Sequence, residues 1–117
     1  MRIFVSGPYG DHNPPDVIAW NVARADELAR YLVSQGHEVY CPHMMSHGWE
    51  RDARLCRADF MRVDESFMRH WAEAVYRLPG ESPGSDAEEA LARQLGLLVV
   101  RVLASDEGLQ DVPGEQK

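Results

Sequence analysis

The stretch that decides the fold is "AVYRLPGESPGSDAEEALARQLGLLVVRVL", residues 74–103. It predicts a short strand near Ala74 to Leu78, then a turn rich in Gly, Ser and Pro. A helix is predicted over Ser85 to Leu95, and Gly96 ends it. The nearly all-apolar segment Leu97 to Leu103 is typical of a strand covered on both faces. Strand, helix and strand in this order indicate a right-handed parallel βαβ unit.

The rest of the chain repeats this alternation. The segment Arg2 to Gly7 is typical of a buried strand that stops at a Gly-Pro turn. Apolar residues at spacings of three and four predict a helix from about Pro15 to Gly36. The remaining predicted elements are a strand over His37 to Cys41, a loop over residues 42–52 ("PHMMSHGWERD") and a helix over about Ala53 to His70.

The complete order βαβαβαβ predicts an α/β fold. We expect one doubly wound parallel sheet of four to five strands, flavodoxin-like or Rossmann-like, with helices on both faces. This domain is expected to span residues 1–103, and the polar, acidic residues 104–117 are expected to form a flexible tail. Ligands of such sheets bind beyond the carboxyl ends of the strands, where the strand order reverses. Three loops meet there: "SGPYG", "CPHMMSHGW" and "PGESPGSDAE".

The charge and the cysteine content of the chain limit its partners and its location. A formal net charge of -7 over 117 residues argues against nucleic acids and anionic membranes, because those surfaces require clustered Lys and Arg. A small phosphorylated ligand stays compatible, since a few backbone N–H groups can hold it. Two cysteines make no disulfide framework and no apolar run approaches membrane-spanning length, so we expect a reduced, cytoplasmic protein.

Glu88 is open to two interpretations. The sequence Ser85-Asp86-Ala87-Glu88 matches a capping box, in which Ser85 is the N-cap and Glu88 reaches back to its N–H. The alternative is functional, because the turn follows a strand, its glycines allow close approach of a ligand, and a helix N-terminus favours an anion such as phosphate. A carboxylate one turn away could attack the carbon next to the sugar ring oxygen. That attack gives a covalent glycosyl-enzyme and a retaining outcome.

Three motifs carry a resemblance to a known family: "SGPY" (6–9), "GHEVYCPH" (36–43) and, most specifically, "LPGESPGSDAEEALARQLGLLVV" (78–100). With them the chain resembles the nucleoside 2-deoxyribosyltransferase-like superfamily over about residues 2–102. This superfamily includes the 2'-deoxynucleoside 5'-monophosphate N-glycosidases and small phage and bacterial relatives. The resemblance implies that Glu88 is the nucleophile, because Gly96 and the strand after it then fall at the family's spacing. Glu89 is expected to be solvated or to act as a charge at the helix start.

The resemblance also implies a phosphate site. The monophosphate hydrolases carry a Ser six residues before the nucleophile, where transferases acting on nucleosides tend to carry an Asp that holds the free 5'-hydroxyl group. That position is Ser82 here, and we expect Ser82, Gly84 and Ser85 to bind a 5'-phosphate. Two features depart from the pattern. The first loop lacks the arginine that some of these hydrolases carry, and Asp86 places a negative charge near the expected phosphate.

Asp64 is the candidate for a second acid. Its neighbours at three and four positions along a helix are apolar, so it is either a boundary residue that turns to solvent or an active-site acid. The superfamily has an aspartate in about this place, and the resemblance implies that it orients the nucleophile and handles protons at the base. A like-charged neighbour would raise one of the two pKa values, as proton transfer requires. Asp59 is the alternative, since the distance from Asp64 to the next turn is one residue longer than usual.

Two further groups of residues are expected to bind the substrate. The resemblance implies that the first loop, with Ser6, Gly7 and Tyr9, lines the sugar site, although Tyr9 is equally compatible with packing on the sheet edge. Aromatic faces stack on nucleobases. The expected base pocket contains His43, His47 and Trp49.

No cofactor is expected. Cys41 and Cys56, taken with His43 and His47, match no usual structural zinc pattern. The predicted partner is therefore a small nucleotide alone, besides further copies of the chain, since the resemblance implies a homodimer or a larger assembly. The apolar side chains of residues 60–71 are the candidate interface.

These expectations combine into one predicted function. We expect an N-glycosidase that cleaves the base–sugar bond of a (2'-deoxy)nucleoside 5'-monophosphate through a covalent glycosyl–glutamate intermediate, which water then resolves. Two alternatives stay open. One is a nucleoside 2-deoxyribosyltransferase, in which a second base replaces water, and the other is a nucleotide-binding module without catalysis.

Overall fold

The computed structural model describes residues 1–10, 13–105 and 108–109 of the chain. Within them, one sheet of four strands is connected by four helices, two of which lie between the second and third strands of the chain. The elements are β1 Arg2–Ser6, α1 Pro15–Ser34, β2 Glu38–Tyr40, α2 Pro42–Trp49, α3 Arg57–His70, β3 Ala74–Arg77, α4 Pro83–Gln94 and β4 Leu98–Arg101. The sheet order is β2-β1-β3-β4, and every neighbouring pair is parallel. The predicted doubly wound α/β fold is therefore confirmed.

Successive strand residues point to opposite faces of the sheet. Both faces carry apolar side chains, and helices cover both. On one face Ile3 and Val5 belong to a buried cluster that includes the inner side of α1. On the other face Phe4 packs in a cluster with Met68 of α3 and Ala92 of α4. Burial of apolar surface on both sides stabilises the sheet.

The segment at residues 42–52, predicted as a loop, instead contains α2. Cys41 is extended (φ -120°, ψ 101°), and Pro42 lies in the first turn of the helix. That position suits proline, since its missing N–H has no partner there anyway. The helix packs against α1 and buries His43. Tertiary packing thus stabilises a helix that the local composition did not indicate.

Two other boundaries differ from the prediction. Helix α3 begins at Arg57 rather than about Ala53, and α4 begins at Pro83 rather than Ser85. Past β4, two short antiparallel strands, β5 Ala104–Ser105 and β6 Gly108–Leu109, form a ladder that the sequence did not predict. The rest of residues 104–117 lies outside the described residues, so the flexible tail stays a prediction. No helix in the described part of the chain is long and apolar enough to cross a membrane.

The strand order reverses between β1 and β3, because β2 is added on one side of β1 and β3 on the other. The loop after β1 and the turn after β3 therefore lie side by side at the carboxyl edge of the sheet. Two glycines allow their close approach. A Cβ atom at Gly7 would lie 2.8 Å from Leu78 Cδ1, and one at Gly80 would lie 2.9 Å from Pro8 Cγ. The reversal and these contacts fix the position of the candidate site.

Gly80→Ala is expected to lower the free energy of unfolding by about 2 kcal/mol, because Gly80 has φ +119° and its new Cβ must displace Pro8. Gly36→Ala is the matched control. Gly36 also has a left-handed conformation (φ +92°) but has nothing within 4 Å of the added carbon, so only backbone strain applies. Urea denaturation of both variants measures the difference. Equal losses would show that the contact between Gly80 and Pro8 carries no free energy.

Candidate active site

A cavity of about 700 Å³ opens at the carboxyl ends of β1 and β3. Its walls are the loop after β1, helices α2 and α3, and the turn that leads into α4. The volume is in the range of small-molecule sites. Both candidate acids, Glu88 and Asp64, lie in its lining.

Glu88 faces this cavity from the second turn of α4 and does not cap the helix. The N-cap is Ser82, whose Oγ accepts a hydrogen bond from the Ser85 N–H at 3.1 Å. The capping-box interpretation of Ser85 and Glu88 is therefore wrong. The Glu88 carboxylate instead accepts a hydrogen bond from the Ser6 hydroxyl at 2.6 Å. Ser6 is the last residue of β1, so this contact joins α4 to the end of the central strand.

The Glu88 carboxyl group has an altered protonation equilibrium. Burial raises its pKa from the ordinary value of 4.5 to about 7, because desolvation disfavours the charged form. The Ser6 hydrogen bond and the positive charge of Arg77 lower the pKa, while the negative charge of Asp64 raises it, and burial outweighs them. Glu88 therefore exchanges its proton near neutral pH.

Asp64 reaches the same cavity from α3. Its carboxylate accepts a hydrogen bond from the Tyr40 hydroxyl at 3.0 Å, and the Tyr40 ring stacks on Phe67 with centroids 3.9 Å apart. Burial raises the pKa of Asp64 to about 6 against the lowering effect of Tyr40. Each of the two acids thus has one hydroxyl donor, and burial raises both pKa values above the ordinary range.

Asp59, the alternative second acid, has a different place. Its carboxylate accepts a hydrogen bond from the Cys56 N–H at 2.9 Å at the start of α3 and forms an ion pair with Arg62. Both contacts lower its pKa. It does not line the main cavity. Of the two aspartates, Asp64 is therefore the one that the fold brings together with Glu88.

The N-terminus of α4 forms one end of the cavity. Ser82, Gly84 and Ser85 line it, and an added Cβ at Gly84 would meet only Ser82 Oγ, at 3.9 Å. The Ser85 hydroxyl is buried and has no hydrogen-bond partner among the described residues. An unpartnered buried hydroxyl beside a helix N-terminus is suited to an anionic ligand. Asp86 does not oppose this, because its charge is paired with Arg77.

The first loop follows β1 and lines the cavity next to the turn after β3. Ser6, Gly7 and Tyr9 all line the cavity. The Tyr9 hydroxyl donates a hydrogen bond to Glu50 at 2.6 Å, so this ring lies between the loop and α2. The sequence analysis did not identify Glu50, which also lines the cavity. No local pattern marks it, since its partner is 41 residues away.

The three residues expected in the base pocket separate. His43 is buried, lines the cavity, and donates a hydrogen bond from Nε2 to the Pro8 carbonyl at 2.9 Å. Burial lowers its pKa, so the ring is neutral. His47 is exposed and is not part of the cavity lining, although its Nδ1 lies 3.3 Å from the Tyr9 hydroxyl oxygen. Trp49 lines a separate small cavity of about 70 Å³ instead.

Helical periodicity explains the place of Trp49. Because residues 42–49 form a helix, His43, Ser46 and Glu50 share the face that lines the cavity. His47, four residues after His43, lies on the same side of α2 and contacts Tyr9, but it is outside the cavity lining. Trp49 falls on another face. Of the three residues expected in the base pocket, His43 is the one in the lining. Within the described ranges, no cluster of three or more His, Cys, Asp or Glu side chains could hold a metal ion.

Glu89 contradicts the expectation that it is solvated. It is only 6% exposed and forms ion pairs with three arginines, one each from β3, β4 and α4. These arginines are Arg77, Arg101 and Arg93. The hydrogen bond from Arg101 is the main cause of a pKa lowered to about 2. Of these three pairs, only the one with Arg93 has the local i, i+4 spacing, and the two strand arginines are each 12 residues away along the chain.

The architecture is therefore a parallel α/β domain with two acids in one cavity at the point where the strand order reverses. No known family profile matches the sequence, and no curated protein is significantly similar to it. Among solved structures, a 2-deoxyribosyltransferase from the psychrotolerant bacterium Bacillus psychrosaccharolyticus has a similar fold, with a TM-score of 0.66. The two chains are 16% identical, and the match covers 86% of this chain and 71% of the other. The likeness shows a shared fold.

The adjacent glutamates should have opposite effects on stability at pH 8. The raised pKa of Glu88 gives stability that is complete below pH 4.5 and is lost as the pH rises through about 7. Glu88→Gln is therefore expected to raise the free energy of unfolding at pH 8 by about 2 kcal/mol. The lowered pKa of Glu89 gives stability that is present above pH 4.5 and is lost as the pH falls towards 2.

Glu89→Gln is therefore expected to lower the free energy of unfolding at pH 8, by about 2 kcal/mol, because it leaves three arginines without their shared partner. Denaturant titrations at pH 4 and pH 8 measure both variants. The Glu88→Gln difference should vanish at pH 4. Destabilisation by Glu88→Gln at pH 8 would contradict the assignment of an unfavourable buried charge.

Proposed function

We propose that the chain is an enzyme that breaks the N-glycosidic bond of a nucleoside or nucleotide by covalent catalysis. The observation that carries this proposal is the pair of largely buried acids, Glu88 and Asp64, in one cavity at the carboxyl edge of the sheet. A cap or a structural acid requires neither the cavity nor a raised pKa. Perturbed acids in a cleft are typical of catalytic sites.

The chemistry follows from the two acids. An ionised oxygen of Glu88 forms a bond to C1' of the sugar, and the bond from C1' to the base nitrogen breaks. The electron pair of that bond goes to the base, which takes a proton that Asp64 supplies. The acceptor, which is water or a second nucleobase, then attacks C1' and gives its proton to Asp64. The bond between C1' and Glu88 breaks, and the original configuration is retained. Ser6 holds the Glu88 carboxylate through its hydroxyl group.

The acceptor is the point on which the sequence and the fold differ. The family resemblance favours water, which would make the protein a hydrolase. The fold neighbour is a 2-deoxyribosyltransferase, which favours a second nucleobase as the acceptor. We therefore propose deoxyribosyl transfer between bases as the first candidate and hydrolysis as the second.

The donor is proposed to be a nucleoside 5'-monophosphate. Ser82, Gly84 and the unpartnered Ser85 hydroxyl at the α4 N-terminus support an anion there. The other charged lining residues oppose it, because Arg57 is the single cation among them, against the carboxylates of Glu50, Asp64, Glu81 and Glu88. Binding of a 5'-phosphate would therefore depend on the N–H groups of the α4 N-terminus rather than on a basic pocket.

We also propose a homodimer, which the family resemblance implies. Of the residues expected at the interface, Phe67, Met68 and Trp71 pack in the protein's own core. Met61 is the large apolar side chain there that stays exposed.

Release of free base from a panel of deoxyribonucleosides, ribonucleosides and their 5'-monophosphates tests the proposed reaction. The panel is run with and without a second base, and chromatography measures the products. We expect base exchange that Glu88→Ala abolishes, at least 10³-fold below wild type, because the nucleophile is removed. Glu65→Gln, a solvent-exposed change on α3, is the control and keeps activity. Base release without an acceptor would establish the hydrolase, and inactivity of every substrate would reject the enzyme.

The pH profile of this reaction should be bell-shaped with a maximum between pH 6 and 7. The reactive form carries one proton on Asp64, and the two acids ionise at about 6 and about 7. Because Glu88 has the higher pKa, this form is the minor one of the singly protonated pair. Asp64→Asn is expected to remove one limb of the bell. An unchanged profile in that variant would exclude Asp64 as the proton donor.

Ser82→Asp distinguishes a monophosphate from a nucleoside as the donor. Aspartate is as good an N-cap as serine, so α4 should be kept, while the added charge repels a phosphate. We expect activity on the monophosphate to fall about 100-fold and activity on the nucleoside to remain. Ser82→Asn, which caps without a charge, should keep both activities. An equal response of both substrates to Ser82→Asp would show that no phosphate binds beside this residue.

A further inference from the structure

Arg77 joins three groups near the candidate site, although it does not line the cavity. It is the last residue of β3, and its side chain is 11% exposed. One guanidinium nitrogen donates to the Gly80 carbonyl at 3.2 Å. The other forms ion pairs with Asp86 and with Glu89. A single side chain thus contacts the turn and the first two turns of α4.

These contacts surround Glu88 in the sequence. Gly80 precedes the N-cap, and Asp86 and Glu89 lie on either side of Glu88 in α4. A rigid helix transmits the position of Glu89 to its neighbour, since consecutive side chains differ by about 100°. With Glu89 held on the β3–β4 side, Glu88 turns towards Ser6 and the cavity.

We infer that Arg77 is a positioning residue for Glu88: its contacts with Gly80, Asp86 and Glu89 hold the turn and α4 in the orientation that directs the Glu88 carboxylate to Ser6 and the cavity. It also covers the charge of Asp86, which would otherwise lie beside the helix N-terminus. The inference rests on the proposed function for its catalytic consequence and on geometry alone for the placement of Glu88.

Other charged and titratable groups near Glu88 could have the same effect and must be weighed. From β2 comes Tyr40, and from α3 come Asp64 and Arg57. Glu50 and the neutral His43 face the cavity from α2, and Glu81 faces it from the turn. Arg77 is the cation that lowers the pKa of Glu88. Removal of the Arg77 charge should therefore change the pKa of Glu88 directly.

The test compares Arg77→Met with Arg93→Met. Both remove a guanidinium group from Glu89, but Arg93 contacts neither Asp86 nor the turn among the described contacts. The readout is the pKa of Glu88, measured by carbon-13 NMR titration of the full chain. Glu88→Gln identifies the resonance.

We expect Arg77→Met to raise the pKa of Glu88 by roughly half a unit or more, because a nearby positive charge is lost. Arg93→Met should leave it unchanged. Arg77→Lys keeps the charge but loses the two guanidinium nitrogens. The pKa of Glu88 in this variant should fall between those in wild type and in Arg77→Met. If Arg77→Met does not fold, the comparison of Arg77→Lys with wild type decides. An unshifted pKa of Glu88 in the folded Arg77 variants would overturn the inference.

Kinetics give the second readout. Arg77→Met should lower kcat for the donor identified by the substrate panel about tenfold or more with little change in KM, since a misplaced nucleophile reacts slowly but the pocket stays open. A purely structural role would lower the melting temperature and leave kcat unchanged. The titration requires no substrate. A shifted pKa of Glu88 in a chain without glycosyl transfer would therefore support the positioning role and reject the proposed function. An active enzyme with an unshifted pKa of Glu88 would support the proposed function and reject the positioning role.

Discussion

The burial of the Glu88 carboxyl group against the end of β1 is the constraint on which the carboxyl edge depends. A carboxylate that loses water is unfavourable unless a donor replaces it, and the Ser6 hydroxyl is that donor. For the two groups to meet, α4 must begin at Pro83 behind the Ser82 cap. The turn before it must also pass close to the first loop, which Gly80 allows. The local backbone is thus arranged around one unfavourable group, as is common where strain or desolvation serves a function.

The two neighbouring glutamates show that environment, not residue type, decides the behaviour of an acid. Glu88 faces a strand end that offers one hydroxyl group, and its pKa rises to about 7. Glu89, one position along the same helix, faces arginines from two strands, and its pKa falls to about 2. One residue is therefore ready to exchange a proton near neutral pH, while the other stays charged and ties the helix to the sheet.

The sequence predicted the parts of the molecule that local patterns determine. The alternation of apolar strands and amphipathic helices, with Gly36 and Gly96 after two of the helices, was enough for the topology. The start of α4 was missed because two serines compete for the cap. Pro83 favours Ser82, since proline is common at the first helical position after an N-cap. The Glu50 and Glu89 contacts could not be predicted, because they join residues that only the folded chain brings together.

The position of helix α2 in the cavity wall bears on how substitutions could change the ligand that the cavity accepts. One wall of the cavity consists of His43, Ser46 and Glu50, all on one helical face. The acids lie on other elements, α3 and α4. Exchange of these three side chains would reshape the region that a ligand meets without moving the carboxyl groups. In the proposed enzyme, this wall of α2 could therefore change while the two acids on α3 and α4 are kept.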